Sequence, residues 1–507
     1  MRTTVDRLRW AALQYEPYWL MLCLLVATCL RLFRLEGQSL WADEGVQYFI
    51  ASAPTLDALW ERMAQRTFHP PLSFLISHAF LRLHDSDFFL RLPSVLFGVA
   101  SLLLTYGLVR KLTSVSVALI AVWVFALSPL QVWYSQEARM YAPLLFMALL
   151  STWCLVWAVE TRRWYWWVGY ACTLALGLYV HVFIVLQIMV HGLWLLLWFR
   201  HAWWAYCGAG IVTAGLAFPI VSPWVLYVLR RVSPGLVEGV ATISRHRVTI
   251  GWEGMFYALY AYGAGFSLGP SLTDLHSDRS MAALLPHMPV IGGVALVYGT
   301  LLLVGLYSLS RLGSWKLSGQ CLIAFAGPIV GAAVLTSISS FSFNVRYTIM
   351  GFPFFCLFVA AAIVYVGRQQ VWLGSVLLLA LTLISSWSLA NYFGQPDYGR
   401  TNMRAAVAHW RAAGDAGNLL SVSTAGGVKD VVKRYLTSAE QQRHMWLGGG
   451  ETVDRIRHFF ETHEVGHVYI LLARDWHQRR ETAVREAFAV QQEQTFTGVK
   501  LLKILRR

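Results

Sequence analysis

The chain has 507 residues, of which 57% are hydrophobic and 13% are charged, and its formal net charge is +14. Its hydrophobic residues form long unbroken runs instead of amphipathic patterns, which excludes an ordinary water-soluble domain and indicates a polytopic helical membrane protein. The positive charge does not indicate nucleic acid, because much of it lies in short turns and residues 396–507 mix 17 Lys and Arg with 12 Asp and Glu.

Eleven apolar runs each approach the ~20 residues that cross a bilayer as a helix. Their approximate bounds are 17–34, 92–109, 115–133, 140–159, 164–180, 182–199, 203–228, 288–309, 318–338, 346–366 and 371–391. The first run follows three arginines but is not followed by a small-residue cleavage site, so we expect an uncleaved helix.

Basic residues in the short turns predict the orientation. If the N-terminus is cytoplasmic, the cytoplasmic turns contain Arg110, Lys111, Arg162, Arg163, Arg200, Arg311, Lys316 and Arg368. Eleven spans then place the C-terminal region and two long connections, about 35–91 and 229–287, on the outer side. The second connection is apolar and aromatic, and an interfacial helix is one interpretation of it.

A cluster of Gly, Pro and Asp after the last apolar run predicts a domain boundary. We expect a transmembrane domain over residues 1–394 and a small extracytoplasmic α/β domain over 395–507. Helical patterns such as "VKDVVKRYL" alternate there with strand-like runs, "LLSVS" and "HVYILLA". Its scattered histidines lack ligand spacing, which favours docking or acceptor shaping over independent catalysis.

Charged and polar residues that could take part in catalysis lie at the predicted outer ends of the helices. The acidic pair Asp43 and Glu44 lies in "SLWADEGVQYF", residues 39–49. A pair of this kind also suits a helix cap or a solvated turn, and Trp41 suits an interfacial anchor. The same face carries four further motifs: "HPPLSF" (69–74), "FFLRLPSVLFG" (88–98), "SPLQVWYSQEARMYA" (128–142) and "FNVRYTIMGFP" (343–353).

In this order the motifs resemble glycosyltransferase family 39, which includes protein mannosyltransferases and lipid A aminoarabinose transferases and has the GT-C membrane fold. The resemblance covers the first 200 residues well and the region of Arg346 moderately. It implies transfer of a sugar, with inversion, from a polyprenyl-phosphate donor to a lipid, glycan or protein acceptor at the outer membrane face. The layout resembles bacterial members, which implies an inner (plasma) membrane and a periplasmic C-terminal domain.

Transfer to a hydroxyl requires a base for the acceptor proton and cations for the departing phosphate. By resemblance Asp43 is the base, while Glu44 shapes the site or contacts the acceptor; the reverse order stays open. Glu137 is a candidate for binding the sugar. Arg91, Arg139 and Arg346 are the candidates for the phosphate, because a guanidinium can hold two oxygens, although interfacial anchoring also suits such positions.

Four further residues are candidates for substrate binding. Tyr141 and Tyr347 lie beside two of these arginines and could pack the site or donate to phosphate. His69 precedes two prolines that rigidify its turn, and His181 lies at a predicted junction between spans. The sequence requires no cofactor, although Asp43, Glu137 or His181 could contribute to a divalent metal site.

Two alternatives stay open. One keeps the fold but changes the reaction, to an oligosaccharide transferase or ligase that uses a diphosphate-linked lipid. The other is a lipid-glycan flippase or transporter, but no internal repeat is visible and the charged residues lie at one face instead of along a path. The identity of the donor would discriminate between these functions.

Overall fold

The structure is a computed structural model that describes residues 2–506, except 68, 220–221, 223–251, 279–280, 313, 338–342, 415–416, 449–451, 464 and 476–477. Apolar helices make up most of the described chain, and a five-stranded sheet follows them. The expected class, a polytopic helical protein with a small C-terminal α/β domain, is confirmed.

The helices before the C-terminal domain are α1 (Arg2–Leu32), α2 (Ala42–Ala51), α3 (Leu56–Arg66), α4 (Leu72–Leu83), α5 (Asp87–Leu112), α6 (Val115–Leu127), α7 (Pro129–Ser135), α8 (Tyr141–Thr161), α9 (Trp164–Val180), α10 (Ile184–Trp198), α11 (203–219), α12 (Trp252–Ala264), α13 (Leu272–Ser277), α14 (Met281–Leu284), α15 (Met288–Leu312), α16 (Trp315–Ser337), α17 (Phe352–Gln369) and α18 (Val371–Gly394).

Seven of the described helices are long and apolar enough to cross a bilayer, or eight if α6 and α7 form one broken span. Helices α9 and α10 coincide with two predicted spans but contain 17 and 15 residues. The predicted span 203–228 begins as α11, and its end lies outside the described residues, as does much of the connection 229–287. The count of eleven spans stays a prediction.

The sixth and seventh helices meet at an angle of 60° within one predicted span. Ser128 begins α7 by accepting the Gln131 N–H, and Pro129 occupies a first-turn position, where its missing N–H costs nothing. The break frees carbonyl groups at the end of α6, and the buried Arg31 donates to two of them, at Phe125 and Ala126. This break turns the chain into the segment that carries Glu137.

Three short helices, α2 to α4, form a connection between α1 and α5. The side chain of Gln47 on α2 donates to the Ser73 carbonyl and to the Ser77 hydroxyl of α4, each at 3.0 Å. Thr55 caps α3 and Ser86 caps α5 through their hydroxyl groups. The connection is therefore a packed structure that holds the N-terminus of α2 in a fixed place.

The C-terminal domain contains helices α19 (Met403–Ala412), α20 (Gly427–Tyr435), α21 (Ser438–Gln442), α22 (Thr452–His463) and α23 (Arg479–Ala487) around strands β1 (Asn418–Val422), β2 (His444–Gly448), β3 (His467–Ala473), β4 (Ala489–Phe496) and β5 (Val499–Leu505). The strand order is β2-β1-β3-β5-β4. Strand β1 runs parallel to β2 and β3, whereas β5 runs antiparallel to β3 and β4. The strand-like runs predicted from the sequence are β1 and β3.

Helix α20 of this domain packs against α2 through two glycines. A Cβ on Gly427 would lie 1.9 Å from the Ala42 carbonyl oxygen, and one on Gly45 would lie 2.4 Å from the Gly427 carbonyl oxygen. Both neighbours are backbone atoms, which cannot move aside independently. The two helices can cross this closely only because both positions lack a side chain.

Buried Asp87, at the start of α5, adds a polar contact between the two domains. It accepts from Arg404 at 2.5 Å, from the Tyr435 hydroxyl at 2.8 Å and from Arg434 at 3.3 Å. The Tyr435 oxygen also accepts the Leu40 N–H, two residues before α2. The C-terminal domain is thus fastened to the segment that contains the acidic pair.

Candidate active site

The neighbouring carboxylates Asp43 and Glu44 have different surroundings. Successive helix residues point about 100° apart. Glu44 is fully buried, and its carboxylate accepts from Arg91 at 2.7 and 2.8 Å and from the Ala138 N–H at 2.9 Å. Burial alone would raise the pKa of Glu44, but the charges of Arg91 and Arg400 and these hydrogen bonds lower it to about 2. Glu44 is a permanently ionised residue at the centre of a buried network.

Arg91 is the main partner of Glu44, and its side chain is 1% exposed. Its five N–H groups donate to both carboxylate oxygens of Glu44 and to the carbonyls of Leu35, Gln38 and Ser39. Arg91 was expected at the donor phosphate, but in this arrangement it has no N–H group left for a ligand. Its geometry instead fixes the segment that leads into α2.

Asp43, by contrast, is one-third exposed and makes an ion pair with Arg346. The distance between Arg346 Nη1 and Asp43 Oδ2 is 3.2 Å. Arg346 lies in a short 3₁₀ helix, Val345–Gly351, that leads into α17. Its guanidinium lies over the rings of Tyr141 and Tyr347, at 5.3 and 5.4 Å, and its Nε has no partner among the described residues.

Glu137 lies in the bend between α7 and α8 and is 1% exposed. One carboxylate oxygen accepts from Trp133 Nε1 at 3.2 Å, and the other has no hydrogen-bond partner in the described part of the chain. Burial raises the pKa of Glu137 to about 7 against the opposing charge of Arg400. The group can therefore change its protonation state near neutral pH.

Arg139 follows two residues later and is largely uncommitted. Its Nη1 donates one long hydrogen bond, 3.4 Å, to the carbonyl of Asp43, and its Nε lacks a partner within the described ranges. Ser94, in the motif that also holds Arg91, donates to the Arg139 carbonyl. Arg139 and Arg346 thus both contact Asp43 and both keep N–H groups for a ligand.

The two predicted histidines are neighbours, with ring centroids 5.6 Å apart. His181 accepts the Phe183 N–H at Nδ1, so its Nε2 carries the proton, and this nitrogen has no partner among the residues described. Burial lowers the pKa of His181 to about 3 and that of His69 well below its ordinary range. Both rings are therefore neutral at physiological pH.

The two tyrosines complete this side of the site. The ring of His181 lies 6.0 Å from that of Tyr141 and 6.2 Å from that of Tyr347. Tyr347 also stacks on Phe183 at 4.2 Å. The structure therefore collects all ten predicted site residues into one region, around two partly uncommitted arginines and three carboxylates.

No group of three or more His, Cys, Asp or Glu side chains in the described residues is arranged to hold a metal ion. Asp43 is instead paired with Arg346, and His181 contacts aromatic rings. A divalent ion at this site stays a hypothesis from the sequence.

Sequence analysis missed one charged residue of this region, Arg400. It comes from the segment between α18 and α19, and its side chain is 2% exposed. Arg400 Nη1 lies 3.1 Å from Glu44 Oε2, and Arg400 Nη2 lies 3.8 Å from Glu137 Oε2. Its surrounding sequence, "QPDYGRTN", indicates only a domain boundary, so no local pattern could have identified it.

Part of the sequence and the overall fold are similar to those of known proteins. Residues 68–227 match the family model described as dolichyl-phosphate-mannose-protein mannosyltransferase. The structure of ArnT from Cupriavidus metallidurans bound to undecaprenyl phosphate is similar, with a TM-score of 0.57 and 13% identity over 96% of this chain and 98% of that one. The apo state of the same ArnT has a TM-score of 0.58 and the same identity and coverage.

A second similar protein is the oligosaccharyltransferase from Archaeoglobus fulgidus in its apo form. It gives a TM-score of 0.53 and 11% identity over 90% of this chain and 69% of that one. No curated protein sequence matches the chain.

These similarities define the class of protein. The chain is an integral membrane protein with the GT-C glycosyltransferase fold, and the resemblance expected from the sequence motifs is confirmed. The family match and the fold together support an enzyme that transfers a glycosyl group at a membrane.

Proposed function

We propose that the protein transfers a sugar, with inversion, from a polyprenyl-phosphate-linked donor to a hydroxyl group of a lipid, glycan or protein acceptor. The reaction takes place at the outer face of a bacterial inner membrane, where the C-terminal domain lies in the periplasm. Support for a lipid-linked donor comes from ArnT of C. metallidurans, a protein of the same fold that has been solved bound to undecaprenyl phosphate.

The observation that carries the proposal is the different environment of the two neighbouring acids. Glu44 is buried and held by Arg91 and Arg400, whereas Asp43 is one-third exposed and, among the described residues, forms one ion pair, with Arg346. A general base must reach the acceptor proton and must be able to take it up. Asp43 is exposed to an acceptor, whereas both carboxylate oxygens of the buried Glu44 already accept hydrogen bonds from Arg91.

The residues of the site can account for the proton that is removed and for the negative charge that develops in this reaction. The acceptor hydroxyl gives its proton to Asp43 while its oxygen forms a bond to the anomeric carbon of the sugar. The bond between that carbon and the phosphate oxygen breaks, and the polyprenyl phosphate leaves with the electron pair. Arg139 and Arg346 stabilise the negative charge on the leaving phosphate, because both retain N–H groups for it.

The other residues shape the site around this reaction. Glu137 contacts a hydroxyl group of the sugar through its unpartnered oxygen. The neutral His181 has an N–H group available for a substrate oxygen, and His69, Tyr141 and Tyr347 pack beside it. We assign Arg91 to holding Glu44 in place, because all of its N–H groups are engaged within the protein.

Purified protein in nanodiscs, mixed with synthetic polyprenyl-phosphate-linked pentoses and hexoses, tests the proposal. Release of polyprenyl phosphate and transfer of a labelled sugar are expected with the wild type. Turnover only with diphosphate-linked glycans would replace the proposal by the oligosaccharide transferase alternative. Lipid movement without any transfer would replace it by the flippase alternative.

Undecaprenyl phosphate alone tests the two arginines. It is expected to raise the Tm of the wild type, and this shift should be lost in Arg139→Ala and Arg346→Ala and partly retained in the lysine variants, which keep the charge without the planar fork. Arg457 on α22 is a matched control, since it is exposed and, within the described part of the chain, its ion pair is with the exposed Asp454. Equal shifts in all variants would make the two arginines structural anchors.

A further inference from the structure

Arg400 connects two acids that come from separate parts of the chain. Its guanidinium lies against Glu44 of α2 and within 3.8 Å of Glu137, in the bend after α7. It also donates to the Trp133 carbonyl at 3.1 Å and lies 5.0 Å from the centre of the Trp133 ring. No other arginine in the described residues has ion pairs with both acids.

The place of Arg400 depends on the C-terminal domain. Its backbone N–H donates to Gln38, and two residues later the Asn402 N–H donates to the Thr497 carbonyl beside the β4–β5 hairpin. Arg404, at the start of α19, donates to the Glu36 carbonyl and to Asp87. The segment that carries Arg400 is thus held between the sheet and the segment leading into α2.

The charges of the site explain what Arg400 does there. Two carboxylates, Glu44 and Glu137, are buried close together, and Arg91 has an ion pair only with the first. Two buried carboxylates that share too little positive charge cannot both stay ionised. Among the cations that act on Glu137, Arg400 has a larger effect than Arg346, and its loss would leave that acid with the weaker influence of Arg346.

We infer that Arg400 is a positioning residue of the glycosyl-transfer site, which the C-terminal domain supplies to hold Glu44 and Glu137. The inference rests on the proposed function, and it extends that function by making the C-terminal domain a part of the site. Arg400 acts through the two acids and contacts neither the sugar nor the phosphate. Turnover therefore requires the C-terminal domain in its docked place.

The inference predicts a change in pH dependence. Charged and titratable groups that face Glu137 are Asp43, Glu44, Arg346 and Arg400, with the phenols of Tyr134, Tyr141 and Tyr392. Among these groups, Arg400 and Arg346 favour the ionised carboxylate, and the effect of Arg400 is the larger. Removing the charge of Arg400 must therefore move the titration of Glu137 to higher pH, whereas a lysine at this position must leave it nearly unchanged.

The variants Arg400→Met and Arg400→Lys test this, with Arg457→Met as control. We expect a loss of kcat of at least tenfold in Arg400→Met with a smaller change in the KM for a polyprenyl-phosphate-linked sugar. The transition in kcat/KM near neutral pH should move upward in this variant. Arg400→Lys should recover part of kcat and the wild-type pH profile, and Arg457→Met should match the wild type.

The outcomes separate this inference from the proposed function. Wild-type kinetics and an unmoved pH profile in Arg400→Met would overturn the role of Arg400 while glycosyl transfer stands. Absence of turnover in the wild type would refute the proposed function instead. The pH dependence of Tm would then decide about Arg400, because its transition must move upward in Arg400→Met and stay in place in Arg457→Met.

A folding defect in Arg400→Met would still leave the inference testable. If Arg400→Met does not fold, the double variant Glu137→Gln/Arg400→Met removes an unbalanced charge together with its partner, and it should regain stability relative to the single variant. Failure of this rescue, together with a wild-type kcat in Arg400→Lys, would overturn the inference.

Discussion

At the scale of single residues, the acidic pair shows what sequence can and cannot reveal. The motif identifies Asp43 and Glu44 as chemically important, but it does not divide the work between them. Arg346, which pairs with Asp43, and Arg400, which pairs with Glu44 beside Arg91, lie more than 300 positions away from these acids in the chain. Arg91 illustrates the same limit, because its motif resembles a substrate site whereas its five hydrogen bonds all stay within the protein.

The two acids should respond differently to loss of charge. Asp43→Asn keeps the shape of the side chain, so we expect near-normal Tm and binding of undecaprenyl phosphate but a loss of turnover of about a hundredfold to ten-thousandfold, as is common for base catalysis. Glu44→Gln leaves Arg91 buried without its counter-charge, and it should destabilise the protein by about 3–5 kcal/mol. Thermal unfolding and initial rates measure both effects.

A different pattern would reassign these roles. A stable Glu44→Gln enzyme without activity, beside an active Asp43→Asn enzyme, would move the base one residue along. Normal rates in both variants would remove the pair from the chemistry altogether.

Glu137 should make the stability of the protein fall as the pH rises. An ordinary glutamate titrates near 4.5, and burial raises the pKa of Glu137 to about 7. Between these values the unfolded chain is ionised while the folded protein still binds the proton, so stability decreases with pH over this window and levels off above it. The free energy of unfolding should fall by about 3 kcal/mol over this window, and Tm measured from pH 4 to pH 8 should fall with it.

The decrease should be absent from Glu137→Gln, which does not titrate. Glu461→Gln, on the exposed side of α22, serves as control and should keep the wild-type slope. Identical slopes in all three proteins would contradict the raised pKa of Glu137.

At the scale of helices and strands, the long apolar runs predicted helices, but the break between α6 and α7 was not predicted. The run 115–133 satisfies the length of a single span, but Ser128 and Pro129 divide it into α6 and α7. Their order, a capping serine before a first-turn proline, is a known start signal that could have found the break. Strand β4, with the sequence "AVQQEQTF", has too few apolar residues to predict a strand, because it lies at the edge of the sheet.

The crossing of α2 and α20 gives a prediction for an element contact. In Gly427→Ala the new methyl group would meet the Ala42 backbone, so we expect a loss of stability of about 1–3 kcal/mol and weaker docking of the C-terminal domain. Gly466→Ala is the matched control in the same domain, because a Cβ there meets nothing within 4 Å. Thermal unfolding and limited proteolysis between α18 and α19 measure the two effects; equal behaviour of both variants would contradict the close crossing.

At the scale of the whole molecule, the motifs identified the GT-C fold although overall identity to the solved structures is only 11–13%. This was possible because a few short motifs at the predicted outer ends of the helices carried the resemblance, while the lipid-facing residues between them need only be apolar. The way in which the C-terminal domain docks could not be predicted. It depends on Gly45, Gly427 and Asp87, and the local sequence around these residues does not indicate that they contact another domain.

The orientation of the chain can be tested as a whole. An odd number of spans after a cytoplasmic N-terminus places residues 395–507 outside the cytoplasm. A reporter that is active only in the cytoplasm should therefore be silent when fused after residue 507, and one fused after Arg110, in a predicted cytoplasmic turn, should be active. A bright C-terminal fusion would require one span more or fewer.

The contact between Arg400 and Gln38 spans 362 positions of the chain, which has a consequence for biosynthesis. At about 5–20 residues per second, the ribosome needs roughly 20–70 s to make the chain between them. During this time the early helices can already be inserted beside lipid substrates, but the last domain has not been made. If Arg400 holds the site as inferred above, a nascent chain that lacks the C-terminal domain is expected to be inactive, and the proposed glycosyl transfer is expected to begin only after that domain has been made and has docked.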